Sequence, residues 1–278
     1  MTDGNESRVG VACIQMQPEI GAKARNVAHS VGLIEEAHAR GARLIVLPEL
    51  CNSGYVFESR EEAFALSERL ADGSTIGTWA AVAARLGVTL VAGFAERDGD
   101  ALYNAAAVIG PGGVLGGYRK VHLWGAENLY FEAGNLGMPV FHTPFGRIAC
   151  AICFDIWFPE VFRMASGGGA DILCVPTNWV PMPAQRPELP VMANVLAMGG
   201  AHSNGMFVAA ADRVGTERGQ PFLGCSLIVD SQGWPVAGPA SATDEAILVA
   251  GVNLSDARRN RQLNAFNHVL RDRRPDVY

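Results

Sequence analysis

The chain has 278 residues, of which 49% are hydrophobic and 18% charged, so it can bury a full hydrophobic core. Its formal net charge of −6 argues against a nucleic-acid partner or an anionic membrane surface, because both favour a basic protein. Six cysteines, mostly inside apolar runs, are typical of reduced core thiols and argue against a secreted disulfide framework.

The first half of the chain alternates between strand-like and helix-like segments. Its polar start, MTDGNESRVG, lacks the apolar core of a secretory signal, so we expect a cytoplasmic protein. Apolar runs predict strands at RVGVACIQM, RLIVLPE and VTLVAGFAER, and helical periodicity predicts helices at residues 26–40 and TIGTWAAVAARLG. The segment LYNAAAVIGPGGVLGGYRKVHLW predicts a β-hairpin that turns at GPGG.

The second half repeats this alternation. Strands are predicted at GRIACAICF, DILCVPTNW, MFVAAADRV, SLIVDSQGWPVAG and AILVAGVNL, and helices at residues 159–166 and 188–199. Polar residues and a proline interrupt the apolar stretch LPVMANVLAMGGAHSNGMFVAAA, which favours a buried helix followed by a buried strand over a membrane span. We expect one α/β domain over residues 1–278, in which the arginine-rich residues 256–278 form a C-terminal tail with a solvated helix face.

Two segments of the chain resemble each other. GARLIVLPEL, from residue 41, and GADILCVPTN, from residue 169, share a Gly-Ala start, an apolar run and a proline followed by polar residues. Each follows an earlier strand and a helix, which suggests two related strand–helix–strand units. Ligands of such sheets bind beyond the carboxyl ends of the strands, where Glu49, Cys153 and Asn178 are expected.

Cys150 and Cys153 lie three residues apart in GRIACAICFDIWFPE. In an extended strand their side chains point to opposite faces, whereas a redox or metal site needs converging sulfur atoms. Cys153 stands where the apolar run ends, before a segment that can open a helix with Pro159 in its first turn. A thiol on such a turn is placed like a nucleophile, with the Phe154 N–H facing the developing oxyanion; the alternative is one more core thiol without a function.

Two further charged residues stand in unusual surroundings. Glu49 directly follows the apolar run RLIVLP, where desolvation raises the pKa of a carboxyl group and makes it a proton acceptor. Lys120 lies between aromatic and apolar residues in YRKVHLW. A nucleophilic thiol needs a base and an oxyanion stabiliser, and these two residues with Cys153 provide the set.

The acid in LPEL, the lysine in YRKVHLW and the cysteine in CFD followed by FPE resemble, in this order and spacing, the nitrilase superfamily of carbon–nitrogen hydrolases. The resemblance extends over nearly the whole chain. It implies a four-layer α-β-β-α sandwich, and a homodimer or higher homo-oligomer in which the tail 256–278 packs at a subunit interface. It makes Glu49 the general base, Lys120 the oxyanion stabiliser and Cys153 the nucleophile.

The resemblance further implies a second glutamate that positions the substrate amide and the base. Glu127 in LWGAENLY matches its place better than Glu132. The expected reaction passes through a thioester intermediate and requires no metal or organic cofactor. The partner is a small-molecule amide, and neither a nucleic acid nor a membrane is expected.

Departures from neighbouring branches of the superfamily narrow the substrate. Nitrilases usually follow the cysteine with Trp and Glu, whereas this chain has Phe154 and Asp155, which disfavours a nitrile. N-carbamoyl amino acid hydrolases tend to carry arginines shortly after the cysteine, but here the stretch holds Ile156 and Trp157, so only Arg163 or Arg186 remains as a replacement.

Aromatic residues near the motifs suggest an apolar-walled pocket formed by Tyr55, Trp124, Phe154, Asn178 and Trp179. We therefore expect an amidase acting on a small neutral carboxamide. The alternatives are hydrolysis of an N-carbamoyl amine or amino acid, a nitrilase, and a non-enzymatic thiol-redox or binding protein that uses Cys150 and Cys153. The histidines at 122, 142 and 202 are expected to be structural.

Overall fold

Two six-stranded mixed sheets form the centre of the protein in the computed structural model, which describes residues 8–183, 185–186 and 188–277. The strands, in chain order, are β1 (Val9–Gln15), β2 (Ala42–Val46), β3 (Thr89–Asp98), β4 (Ala101–Gly110), β5 (Gly113–Arg119), β6 (Val140–Thr143), β7 (Gly146–Cys150), β8 (Ile172–Pro176), β9 (Phe207–Ala211), β10 (Thr216–Glu217), β11 (Gln220–Pro221), β12 (Leu227–Val229), β13 (Pro235–Ala237) and β14 (Ala246–Val252). The helices are α1 (Lys23–Ala39), α2 (Arg60–Leu66), α3 (Ser74–Leu86), α4 (Glu127–Tyr130), α5 (Pro159–Gly167), α6 (Met192–Asn204) and α7 (Asp256–Asn260).

The two large sheets share one arrangement of parallel and antiparallel strands. The first has the order β14-β1-β2-β3-β4-β5, and the second has the order β13-β12-β9-β8-β7-β6. In each, the central strands β1-β2-β3 or β7-β8-β9 run parallel, and the outer strands pair antiparallel. The related segments found in the sequence become β2 and β8, which hold equivalent central positions.

Alternation along the central strands creates the layers. Ala12 and Ile14 of β1 pack against α1 and α3, for example on Trp79, while Val11 and Cys13 face the second sheet. Side chains of α5 and α6 cover the other face of the second sheet. The result is the predicted four-layer α-β-β-α sandwich, in which strands covered on both faces read as continuous apolar runs.

Three sequence predictions need correction. The strand predicted to reach Cys153 ends at Cys150, because the backbone turns into a 3₁₀-helix over Cys153–Trp157. The helix predicted at 188–199 is α6, which starts after Pro190 and extends through two glycines to Asn204. It is also not fully buried: Met192 and Val195 lie on an exposed face.

Several elements were not predicted, among them α2, α4 and β6. The arginine-rich end forms α7 and then irregular backbone up to residue 277. Among the helices in the described ranges, none has the length and apolar character that a bilayer crossing needs.

Candidate active site

The polar side chains predicted to do chemistry lie where strands of the two sheets end next to each other. Glu49 follows β2, and Cys153 follows β7. Asn178 comes just after β8, and Lys120 directly follows β5, which runs antiparallel to its neighbour. The topology therefore brings together residues separated by up to 129 positions, as in the Asn178 amide N–H that donates to the Glu49 carbonyl oxygen at 2.9 Å.

Glu49 is fully buried, and its two carboxylate oxygens differ. Oε1 accepts hydrogen bonds from Lys120 Nζ at 2.7 Å and from Asn104 Nδ2 at 2.6 Å. Oε2 has no hydrogen-bond partner within the described part of the chain. Burial raises the pKa of Glu49 to about 7, although the Lys120 ammonium opposes this shift. One oxygen is thus fixed, and the other is available to a proton.

Lys120, also fully buried, joins two carboxylates. Its Nζ donates to Glu49 Oε1 and to Glu127 Oε1, both at 2.7 Å. Burial by itself lowers the pKa of a lysine, but the carboxylates of Glu127 and Glu49 outweigh it, and the pKa of Lys120 is raised. The side chain is therefore an ammonium group, and two of its three N–H bonds are in use.

Glu127 is held by three donors. Its Oε1 accepts from the Tyr55 hydroxyl at 2.7 Å as well as from Lys120, and its Oε2 accepts from the Trp124 backbone N–H at 3.3 Å. Tyr55 and Glu127 together are thus part of the hydrogen-bond network around the lysine. This arrangement fits the positioning role that the sequence resemblance predicts for Glu127.

Cys153 begins the 3₁₀-helix with the left-handed φ of +48°, directly after the extended Ile152. This conformation costs a non-glycine residue about 1–2 kcal/mol, so contacts nearby have to hold it. Asp155 supplies them. Its Oδ2 accepts from the Ile152 N–H at 2.9 Å and from the Tyr118 hydroxyl at 2.7 Å, and its Oδ1 accepts from the His122 N–H at 3.0 Å. The turn of the nucleophile is thereby tied to the strand that carries Lys120.

The Cys153 thiol is 6% exposed. Burial raises its pKa well above the usual value for a thiol, the Glu49 carboxylate adds to this effect, and the Lys120 ammonium and the Thr177 hydroxyl oppose it. The resting group is a protonated thiol, so nucleophilic attack requires a base to remove the proton.

Two neighbouring cavities lie in this region, and the smaller one reaches the thiol. The smaller measures about 20 Å³ and is lined by Trp124, Cys153, Phe154, Trp157, Asn178, Trp179, Val180 and Met182. The larger measures about 250 Å³ and is lined by Tyr55, Val56, Phe57, Trp124, Gly125, Ala126, Glu127, Tyr130, Val180 and Gln220. Trp124 and Val180 belong to both linings. Among the described residues, neither lining includes a lysine or an arginine.

All five residues predicted to bind the substrate line these cavities. The two arginines offered as a carboxylate clamp do not: Arg163 donates to backbone carbonyls of Ser203 and Val269, and Arg186 pairs with Glu188. Cys150 is buried next to Cys174 in the neighbouring strand, outside the lining of either cavity, and both are free thiols.

The histidines make local contacts. His122 Nδ1 lies 2.8 Å from Asp155 Oδ1, and its ring stacks on Phe158 at 3.6 Å. His202 Nδ1 lies 2.7 Å from the Gln232 carbonyl oxygen. His142 is exposed on β6. The first two fit the expected structural role.

The sequence reasoning missed three residues of the site. Asn104 holds Glu49 from the middle of β4, Asp155 holds the nucleophile turn, and Thr177 follows the proline that ends β8. Asn104 has a visible signal, since it is one polar residue in the apolar run LYNAAAVIG. Nothing local in the sequence shows that Thr177 is buried close to the thiol.

Comparison with known proteins agrees with this geometry. The model of the family described as "Carbon-nitrogen hydrolase" matches residues 10–262. The chain belongs to this family. A protein named "Nitrilase" from Pyrococcus abyssi is 42% identical over 97% of this chain and 99% of its own. An "N-carbamoylputrescine amidase" from Arabidopsis thaliana is 35% identical over 100% of this chain and 96% of its own.

A solved carbon–nitrogen hydrolase from Helicobacter pylori G27 superimposes with a TM-score of 0.86 at 28% identity and covers 98% of this chain and 97% of its own. The nitrilase-superfamily sandwich is therefore the fold of this protein. As a carbon–nitrogen hydrolase it acts on a C–N bond, and the Glu49–Lys120 ion pair lies close enough to the Cys153 thiol to affect its pKa.

Proposed function

We propose that the protein is an amidase that hydrolyses small uncharged carboxamides to a carboxylic acid and ammonia through a thioester on Cys153. The observation that supports this most is the pairing of a protonated thiol with a buried carboxylate whose Oε2 is unpartnered in the described part of the chain. A base with a pKa of about 7 is partly ionised near neutral pH and also strong enough to take a proton.

The steps follow from the groups present. Glu49 Oε2 takes the thiol proton while Cys153 Sγ attacks the amide carbonyl carbon. The remaining N–H of Lys120 and the Phe154 N–H stabilise the oxyanion. Glu49 returns the proton to the departing nitrogen, the C–N bond breaks and ammonia leaves. Water then attacks the thioester with Glu49 again as the base, and the acid and the free thiol are released.

The substrate class is argued from the cavity walls. Aromatic and aliphatic groups dominate both cavities, and Lys120 is paired with two carboxylates. A substrate carboxylate would meet no cation there and would lose its hydration, so an uncharged amide is favoured.

Two other substrate classes have specific support. The larger cavity adjoins the thiol cavity and has room for a substituent of several atoms, and one relative is named for an N-carbamoyl amine; a carbamoyl group presents the same carbonyl and leaving nitrogen. The relative from Pyrococcus abyssi named "Nitrilase" keeps nitriles as a candidate.

The test is the release of ammonia from matched panels of carboxamides, N-carbamoyl amines and nitriles, each with a neutral and a carboxylate-bearing member. We expect the neutral carboxamides to have the highest kcat/KM. A higher kcat/KM for the carbamoyl amines or the nitriles would make that class the substrate in place of carboxamides. If no panel releases ammonia, the proposal is rejected.

We also propose a cytoplasmic homodimer or larger homo-oligomer of this single domain. The exposed apolar side chain of Val195 on α6 lines a groove between α5 and α6, and the tail after α7 reaches this region, where the Val269 carbonyl accepts from Arg163 on α5. Light scattering should give a dimer mass, and Val195→Asp should shift it toward the monomer. A monomeric wild-type protein would contradict this.

A further inference from the structure

A buried ion pair lies behind the loop that carries Tyr55. Arg213 Nη1 donates to Glu217 Oε1 at 2.8 Å, and the two side chains are 1% and 4% exposed. Arg213 Nη2 donates to the Pro18 carbonyl oxygen at 2.8 Å, and its guanidinium lies 4.1 Å from the centre of the Phe222 ring. The arginine is therefore fixed on three sides, and its position fixes Glu217.

The second oxygen of Glu217 binds backbone. Oε2 accepts from the Tyr55 N–H at 2.7 Å and from the Val56 N–H at 2.6 Å. Two consecutive amides are thus held by one charged acceptor, and such charge-assisted hydrogen bonds are short and strong. They span 161 and 162 positions of the chain, so they connect the loop after β2 to the segment after β9.

The held loop leads directly to the site. The Tyr55 hydroxyl donates to Glu127 Oε1 at 2.7 Å, and the same oxygen accepts from Lys120. The Tyr55 ring also meets the edge of Phe222, the ring under the Arg213 guanidinium, at 5.9 Å between centroids. A continuous set of contacts thus runs from Arg213 through Glu217, Tyr55 and Glu127 to the ammonium.

We propose that Arg213 and Glu217 are positioning residues of the active site, which fix the Tyr55 backbone so that its hydroxyl holds Glu127 against Lys120. The pair touches neither the thiol cavity nor the nucleophile. The position of Glu127 determines how the Lys120 ammonium divides its hydrogen bonds between Glu127, Glu49 and a developing oxyanion. If Tyr55 is held less firmly, the enzyme stabilises the transition state less, while its affinity for the substrate changes little.

The inference rests on the proposed function only where catalytic activity is measured. Its test therefore combines two measurements, one of which does not depend on turnover. The first is hydrolysis of the best amide by the wild type, Glu217→Gln, Tyr55→Phe and the double variant. The second is the rate at which iodoacetamide alkylates Cys153, located by peptide mass spectrometry, which needs no turnover. The matched control is Asp171→Asn: Asp171 is likewise a buried carboxylate that accepts a backbone N–H and faces arginines, but it lies at the amino end of β8.

We expect Glu217→Gln and Tyr55→Phe each to lower kcat about tenfold with little change in KM. The kcat of the double variant should be no lower than that of the less active single variant. The acid limb of the pH profile should move to lower pH in each, because the nearby Glu127 carboxylate raises the pKa of Glu49. The rate of Cys153 alkylation, relative to the wild type, should change by one common factor in the two single variants and the double variant. Asp171→Asn should lower the stability and leave kcat and alkylation at wild-type values.

Additive losses in the double variant, or wild-type kcat and alkylation in folded Glu217→Gln, would overturn the inference. If Glu217→Gln does not fold, Arg213→Lys tests the same inference. It keeps the positive charge but lacks the planar guanidinium group that donates to both Glu217 and Pro18. If the wild type hydrolyses nothing but alkylation still responds non-additively, the proposed function fails and the positioning role stands.

Discussion

The two related strand–helix–strand units, β1-α1-β2 and β7-α5-β8, end in different chemistry. In both, a proline at or just after the end of a central strand is followed by a buried polar residue: Pro48 and Glu49 at β2, Pro176 and Thr177 at β8. Each polar residue keeps one oxygen, Glu49 Oε2 or Thr177 Oγ1, without a hydrogen-bond partner among the described residues. The first unit offers a base at this position, and the second offers only a hydroxyl.

The first strands of the two units, β1 and β7, also differ, and here it is the second unit that carries the group proposed to react. β1 ends at Gln15, whose side chain accepts from the Ser226 N–H and is structural, whereas β7 leads to Cys153, the proposed nucleophile. Each unit thus contributes one reacting group, from its second strand in one case and from its first in the other. The comparison teaches that a repeated frame sets where side chains can meet, while single residues decide what they do there.

The largest expected effect comes from removing the Cys153 thiol that follows β7. Cys153→Ala should lower amide turnover by at least about a thousandfold, since no other thiol among the described residues lines the cavities, and should leave the melting temperature close to that of the wild type. Cys150→Ser is the matched control and should keep substantial activity. Complete loss in folded Cys150→Ser would favour the paired-thiol alternative.

The next effect concerns the base of the first unit. Glu49→Gln should lower kcat by about a hundredfold or more, because the amide cannot accept the thiol proton. In the wild type the ionised carboxylate is the active form, so kcat/KM should rise with pH through the pKa of about 7, and the acid limb should be absent in Glu49→Gln. A limb that persists at the same pH in the variant would assign it to another group.

The smallest effect tests the counterpart of Glu49 in the second unit. The Thr177 hydroxyl has no hydrogen-bond partner among the described residues and opposes the rise of the Cys153 pKa, so it is free to donate to the thiolate once this forms. Thr177→Val should therefore slow Cys153 alkylation and lower kcat by about three- to tenfold. Thr177→Ser keeps the hydroxyl and should stay near wild type. Equal losses in both variants would point to packing of the methyl group and not to the hydroxyl.

Much of the fold could be predicted because the strands are covered on both faces and read as apolar runs. Glu49 and Lys120 could be selected because a charge beside a buried strand is costly unless it is paired or used, and Cys153 because it stands where an apolar run ends at a turn. Their meeting follows from the packing of the two sheets, which places the ends of β2, β5 and β7 next to one another. Their catalytic roles stay predictions until the variants are measured.

The rest could not be derived for physical reasons. In the sequence, Asp155 served only to distinguish branches of the superfamily. Its hydrogen bond from the Tyr118 hydroxyl depends on how the two sheets pack, so its role at the turn could not be predicted. Glu217 and Arg213 act across more than 150 positions, so no local pattern reveals them. The signal for α2 was present but unused: the Ser59 hydroxyl accepts the Glu62 N–H, as expected of a serine followed three residues later by a glutamate.

The arrangement of base and nucleophile on separate sheets has a consequence for how the molecule acquires its chemistry. The Glu49 carboxylate is carried by the sheet that contains β2, and the Cys153 sulfur by the sheet that contains β7. If the two residues have the roles proposed above, a refolding chain that has completed either sheet alone has no activity. Returning turnover therefore counts only molecules whose two halves have docked, which makes activity a late reporter of assembly.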